Sequence, residues 1–316
     1  MTLLLTSVLQ YFLLIPFLGF IFSLFIPDKM ENTISRTVFF TVSLHLILSW
    51  GFLIIWLIYN HPTLEKSEII IFKTNEYQFL ISFYFDKISA VYLFVGSALT
   101  FLVTQYCRWY LHREGGYKRF FNTILFFYIG YNTIIFSGNF ETLFVGWEIL
   151  GLSSFLLIGF YRDRYLPVQN ALKIFTVFRI ADMSLLIVMW MNHYLWHKNI
   201  NFSELTDKQF VIEHLQNHPL LGIFISLMIL LAAAVKSGQL PFSSWVPRAM
   251  EGPTTSSAIF YGSLSVHLGV FLLLRTFSFW EHLTSIVITV IFLGLFTSIV
   301  YSGPLSQDNN ASSLRG

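Results

Sequence analysis

The chain has 316 residues, of which 55% are hydrophobic and 18% aromatic, and only 11% are charged. Soluble domains average about 25% charged residues, and a chain of this length cannot hide so much apolar surface in a core of its own, which excludes a soluble globular protein. A net charge of +2 with no basic stripe argues against nucleic-acid binding, and a single cysteine, Cys107, excludes an internal disulfide or a cysteine-built metal site.

A membrane-spanning helix needs about 20 mostly apolar residues. The first such run is 3–26. No basic residue precedes it and it is longer than the apolar stretch of a secretory signal, so it is expected to be a retained helix. Further runs at 38–59, 88–106, 120–137, 141–160, 171–194, 220–240, 255–277 and 283–303 bring the predicted spans to nine. Lipid cannot satisfy open backbone groups, so these runs must be helical. The predicted fold class is an all-α polytopic membrane protein of about nine transmembrane helices. Between the second and third spans, Ser67 to Phe85 ends in period-two alternation (Phe79, Ile81, Phe83, Phe85), which predicts a small extramembrane hairpin.

The loops assign sides. Lys29 and Arg36 follow the first span, Arg108, Arg113, Lys118 and Arg119 the third, and Arg162 and Arg164 the fifth. These loops share one side, which the positive-inside rule makes cytoplasmic, and the N-terminus is then expected outside.

Ionisable groups inside apolar runs cost about 2.5–3.5 kcal/mol each at the bilayer centre and normally mark a pathway or have a partner. Glu148 stands near the middle of the fifth span, either as part of a pathway or as a hydrogen-bonded glutamate joining helices. The sixth span carries Lys173, Arg179 and Asp182. Arg179 and Asp182 are three apart and share a helix face, which reads as a structural ion pair; Lys173 is a second relay cation or an anchor. In the seventh span an apolar helix runs into Lys236, followed by Gly238 and Pro241, with Pro253 beyond. This is a helix break that opens backbone groups to a cavity. Burial disfavours charge on an amine and a nearby carboxylate restores it, so such a lysine changes protonation when its partner moves. The plainer alternative is a lysine snorkelling from a helix end. His267, in the eighth span, is a relay or a buried hydrogen-bonding residue. His193, His197, His214 and His218 cluster in one loop, but their spacing is too loose to read as a metal site, and no phosphate loop, nucleophile elbow or dinucleotide fingerprint is present. No cofactor is expected.

Several segments in order carry a resemblance: Phe85-Asp86-Lys87-Ile88-Ser89, Gly116-Tyr117-Lys118-Arg119-Phe120-Phe121, Leu143-Phe144-Val145-Gly146-Trp147-Glu148, Lys173 to Asp182, Lys236-Ser237-Gly238-Gln239-Leu240-Pro241, and Met250-Glu251-Gly252-Pro253-Thr254. Over roughly residues 80–305 the chain resembles chain 5 (chain L) of NADH–quinone oxidoreductase, respiratory complex I, and its wider family of cation/proton antiporter subunits and membrane subunits of inorganic-carbon pumps. The resemblance implies proton movement through a half-channel, with Glu148 and Lys236 paired electrostatically and Lys173 and His267 as relays. It implies redox chemistry in other subunits, and other membrane subunits as partners. It divides the chain into 1–86, two helices and the hairpin; 87–278, an antiporter-like repeat with a broken seventh helix; and 279–316, a ninth helix and polar tail, with the second repeat mostly absent.

Three positions depart from the complex I pattern. Ser243 and Tyr261 stand where it has histidine, and Arg248 where it has aspartate. These departures point to a divergent paralogue, with energy coupling for inorganic-carbon uptake as one alternative function and a truncated, non-transporting scaffold as another.

Overall fold

A computed structural model describes residues 2–73, 78–257 and 263–312; Tyr261 and part of the eighth predicted span lie outside the described residues. The first span is divided into α1 (Thr2–Val8) and α2 (Tyr11–Phe25) by a turn at Leu9 and Gln10. After α3 (Glu31–Ile58), β1 (Leu64–Lys73) and β2 (Gln78–Phe85) pair antiparallel with Leu64 opposite Phe85, forming the predicted hairpin three residues longer at its start. The chain continues through α4 (Lys87–Tyr110), α5 (Tyr117–Ile135), α6 (Phe140–Ile158), α7 (Tyr165–Trp196), α8 (Lys208–Asn217) and α9 (Pro219–Lys236). Two short turns, α10 (Trp245–Arg248) and α11 (Thr254–Ser256), lead to α12 (Val266–Arg275), α13 (Phe277–Trp280) and α14 (Thr284–Ser312).

Among the described residues, six helical stretches are long and apolar enough to cross a membrane: Leu5–Phe25, α3, α4, α6, α7 and α9. The other three predicted spans are occupied by α5 and by the shorter apolar stretches Ser263–Arg275 and Thr284–Val300. Although α5 carries Lys118, Arg119, Asn122, Thr123, Asn132 and Thr133, it is buried along almost its whole length. Its polar groups bond to other helices, which is how polar side chains join helices in lipid. Asn122 accepts from the Ser23 hydroxyl of α2 at 2.8 Å, and the Tyr131 hydroxyl donates to the Tyr92 carbonyl of α4 at 2.7 Å. Against α6, the backbones meet at Gly130 and Gly146. A Cβ on Gly146 would lie 2.9 Å from the Gly130 carbonyl oxygen, so only glycine permits this crossing. Trp147 and Glu148 are placed by that contact.

One polar junction follows from a proline. Pro16, inside α2, has no N–H, so the Phe12 carbonyl four residues earlier loses its helical partner. The Nε2–H of His45, fully buried on α3, donates to that oxygen at 3.1 Å. Its Nδ1 accepts from the Tyr128 hydroxyl of α5 at 2.6 Å. His45 therefore ties three helices together. His45→Leu is expected to destabilise the protein by about 1–3 kcal/mol for each polar group left unpaired. Pro16→Ala, which restores an N–H for the Phe12 carbonyl, is expected to recover part of the loss. Thermal unfolding of the detergent-solubilised variants measures both, and an unchanged midpoint in His45→Leu contradicts the role.

A second junction is ionic. Asp86 caps α4, accepting from the Ser89 backbone N–H at 2.9 Å, while its other carboxylate oxygen lies 3.0 Å from Nη1 of Arg275, at the end of α12. Arg275 is buried, its Nη2 donates to the Ser89 hydroxyl at 2.6 Å, and its guanidinium lies 4.9 Å from the ring centre of Tyr84 and 5.0 Å from that of Phe271. The pair fastens the start of the third predicted span to the end of the eighth.

Candidate functional site

The site is built where α9 stops. Three alanines, Ala232 to Ala234, let neighbouring helices close on its last turn, and Gly269 of α12 packs against the Ala233 carbonyl. The chain then leaves the helix through Gly238, whose φ of +63° is the left-handed conformation glycine adopts freely. The freed carbonyls are taken up locally. Gln239 N–H donates to Ala234, Gly238 N–H to Val235, and the Trp245 indole N–H also to Val235, at 2.9, 3.3 and 2.9 Å. Leu240–Pro241 is a cis peptide, and Pro253 opens the turn α11. The break predicted at Gly238 and Pro241 thus falls one turn earlier than the end of the 220–240 run, leaving Lys236 as the last helical residue.

Lys236 is fully buried, with 0% exposure, which removes the snorkelling alternative. Its Nζ lies 4.9 Å from the ring centre of Trp147 on α6 and 4.6 Å from that of Phe178 on α7. Phe178 in turn meets Trp245 edge to face at 5.1 Å. Among the described residues the amine has no hydrogen-bond partner. Aromatic faces attract a desolvated cation by about 2 kcal/mol or more, which offsets only part of its lost hydration.

The charges facing this amine are Asp182, Glu148 and Arg179. Arg179 stands between the two carboxylates, with Nη1 at 2.9 Å from Glu148 and Nη2 at 2.8 Å from Asp182. Its guanidinium also lies 4.5 Å from the ring centre of Phe175. Where the resemblance implies a Glu148–Lys236 pair, the contact to Glu148 is made by Arg179, and Lys236 faces the same charges from an aromatic cage. The Arg179–Asp182 contact is present, but it is one arm of a three-residue arrangement. Asp182 is buried, whereas Glu148 and Arg179 keep side-chain exposures of 31% and 38% on the outer flank of α6 and α7.

The remaining candidates are not gathered here. Lys173 is exposed on α7. His267 is exposed on α12, its Nδ1–H donating to the Ser263 carbonyl, four residues earlier in the chain, at 2.6 Å. Among the described residues no group of three or more His, Cys, Asp or Glu side chains is placed to hold a metal ion. Further ionisable groups lie outside the candidates named from the sequence: His45, well inside the 38–59 run, and the Asp86–Arg275 pair and Glu141, buried in the first turn of α6, at run ends. Each is an ionisable group within or at the edge of an apolar run, so the same cost argument finds them when whole runs, ends included, are read.

Residues 137–309 match the family model described as NADH:quinone oxidoreductase/Mrp antiporter, TM, and residues 72–121 match NADH-Ubiquinone oxidoreductase (complex I), chain 5 N-terminus. The chain is 36% identical over 222 residues to NADH-ubiquinone oxidoreductase chain 5 of Phoca vitulina, covering 69% of this chain and 34% of that one. It is 30% identical over 305 residues to chain 5 of Geomys personatus, covering 95% and 47%. Against the chloroplastic NAD(P)H-quinone oxidoreductase subunit 5 of Mesostigma viride, identity is 30% over 228 residues, covering 72% and 35%. The chain therefore spans less than half the length of each of these relatives. Among solved structures, a chain of the Mrp complex from Dietzia sp. DQ12-45-1b superposes with a TM-score of 0.69 at 21% identity, covering 85% of this chain and 28% of that one. A chain of the archaeal membrane-bound sulfane sulfur reductase gives 0.65 at 17%, covering 84% and 51%. Both likenesses are of fold.

Proposed function

The chain belongs to the NADH:quinone oxidoreductase/Mrp antiporter membrane family, and from that premise we propose that it moves protons within a larger membrane complex, with Lys236 and Glu148 as the exchanging groups and Arg179 and Asp182 as their electrostatic frame. The observation that carries this is Lys236 itself: an amine at 0% exposure, held among aromatic rings at a helix break and facing two carboxylates and a guanidinium.

With all four groups ionised, the formal charges of Glu148, Asp182, Arg179 and Lys236 cancel. In a low-dielectric interior any change in that sum is expensive. A proton leaving Lys236 makes the cluster negative and favours a proton on one of the carboxylates; a proton returning to the amine reverses this. The transfer converts a carboxylic acid and an amine into a carboxylate and an ammonium, with no other bond changed. Arg179 stays charged throughout, so its position between the carboxylates sets which of them is better compensated. As it moves toward Asp182, Glu148 becomes the better proton acceptor. Lys173 and His267, lying apart from this cluster, belong to the path only as outlying relays.

The exposure of Glu148 and Arg179 supports a partner. Charged side chains at membrane depth face protein or water-filled space, not hydrocarbon. The flank of α6 and α7 is therefore a surface for another subunit. Glu148→Gln, in the complex reconstituted into vesicles, is expected to lower proton flux at least tenfold, approaching the loss of about 10²–10⁴-fold expected when a positioned proton-transfer group is removed outright. Undiminished flux from an assembled Glu148→Gln complex rules the function out.

A further inference from the structure

We propose that Glu141 and Asn192 form a proton-exchange chamber at the end of the α6–α7 pair opposite the basic loops, passing protons between the central cluster and that side of the membrane. The chamber rests on the proton-transport function above and adds its terminus.

Glu141 lies in the first turn of α6 and is 4% exposed. Seven residues separate it from Glu148, close to two full helical turns, so both carboxylates leave α6 on one side, about 10 Å apart along the axis. Asn192 lies on α7, ten residues beyond Asp182, and is also 4% exposed. Neither its Oδ1 nor its Nδ2 has a hydrogen-bond partner among the described residues. Glu141 and Asn192 line one cavity of about 10 Å³, with Met189, His193 and Lys198 on its other walls. That is room for about one water molecule.

The chemistry of the lining selects the occupant. An amide left with both atoms unpaired in a protein interior needs a partner that donates and accepts. A metal cation satisfies Oδ1 and leaves Nδ2 alone, whereas a water molecule accepts from Nδ2 and donates to Oδ1 or to the carboxylate. Water beside a buried carboxylate is also what proton exchange requires. The Glu141 O–H bond breaks, the water oxygen takes the proton, and a carboxylate remains; the reverse step reloads it. Lys198, the cation on the cavity wall, is in ion-pair contact with Glu204 at 2.5 Å, so it faces the chamber with its charge partly compensated. The i, i+7 relation then gives the central cluster a second carboxylate on the same helix face, one proton-transfer stage further toward the membrane surface.

Proton flux through vesicles holding the full complex tests the chamber. Glu141→Gln is expected to lower flux at least tenfold with the complex assembled, and Glu141→Asp, which keeps a protonatable group, to restore a substantial part. Asn192→Leu, which fills the chamber and leaves the carboxylate in place, is expected to lower flux to a similar extent, and it decides the matter if Glu141→Gln fails to assemble. Full flux in assembled Glu141→Gln or Asn192→Leu, beside an inactive Glu148→Gln, overturns the chamber and leaves the central cluster standing. Full flux in Glu148→Gln as well overturns the proton-transport function itself.

Discussion

Replacing Lys236 by methionine is expected to lower proton flux by roughly a hundredfold or more, the loss expected when a positioned proton-transfer group is removed, while the membrane complex still assembles. The two effects separate because of what the amine touches. Its Nζ makes no hydrogen bond among the described residues and lies against the rings of Trp147 and Phe178. Methionine is unbranched, apolar and adaptable, so it can occupy the same cage. Arg179, at 2.9 and 2.8 Å from Glu148 and Asp182, still compensates one of the two carboxylate charges, and a proton taken up by the other keeps the cluster neutral. Little folding energy is therefore expected to go with the charge. Lys236→Arg gives the complementary result. It keeps a cation but removes the ability to lose a proton, because a guanidinium stays charged, so flux is expected to stay low. Native electrophoresis reports assembly and a pH-sensitive dye in vesicles reports flux. Normal flux in Lys236→Arg would show that the residue acts as a fixed charge and not as a proton carrier.

Arg275→Met has the largest expected effect on stability. Removing one partner of a buried ion pair leaves an uncompensated charge and typically costs about 3–5 kcal/mol. Here the orphaned charge is that of Asp86, the Ser89 hydroxyl keeps only its bond to the Ile135 carbonyl, and the link lost is between the start of α4 and the end of α12. Asp86→Asn alone is milder toward α4, since asparagine also caps a helix by accepting from the Ser89 N–H, but it strands the guanidinium among Tyr84, Phe202 and Phe271. The double variant Asp86→Asn/Arg275→Met removes both charges and is expected to recover much of the loss. Thermal unfolding midpoints of the three variants in one detergent form the cycle. Additive losses in the double variant would show that the two residues act independently and that the ion pair contributes nothing of its own.

The amino-acid sequence by itself determined the class and the local events. Apolar runs of membrane length exclude a soluble fold because each residue's hydropathy adds to its neighbours' whatever the rest of the chain does. The hairpin at Leu64–Phe85, the cap at Asp86 and the end of α9 before Gly238 are equally local. Each depends on a few adjacent residues whose backbone preferences leave little choice. Glu148, Lys236, Arg179 and Asp182 were legible as expensive charges on the same ground.

What only the tertiary structure decided is which of those charges touch. Two cations and two carboxylates on three helices allow several pairings, and the choice depends on how α6, α7 and α9 are rotated and how closely they cross. That is set by remote contacts, such as Gly130 against Gly146 and Gly269 against Ala233. Arg179 reaches Glu148, and Lys236 is left among rings, because of those crossings. The same holds for His45 at the Phe12 carbonyl, for Arg275 at Asp86 and for Glu141 beside Asn192. A polar group in lipid must find a partner, but sequence spacing names that partner only when both lie on one helix.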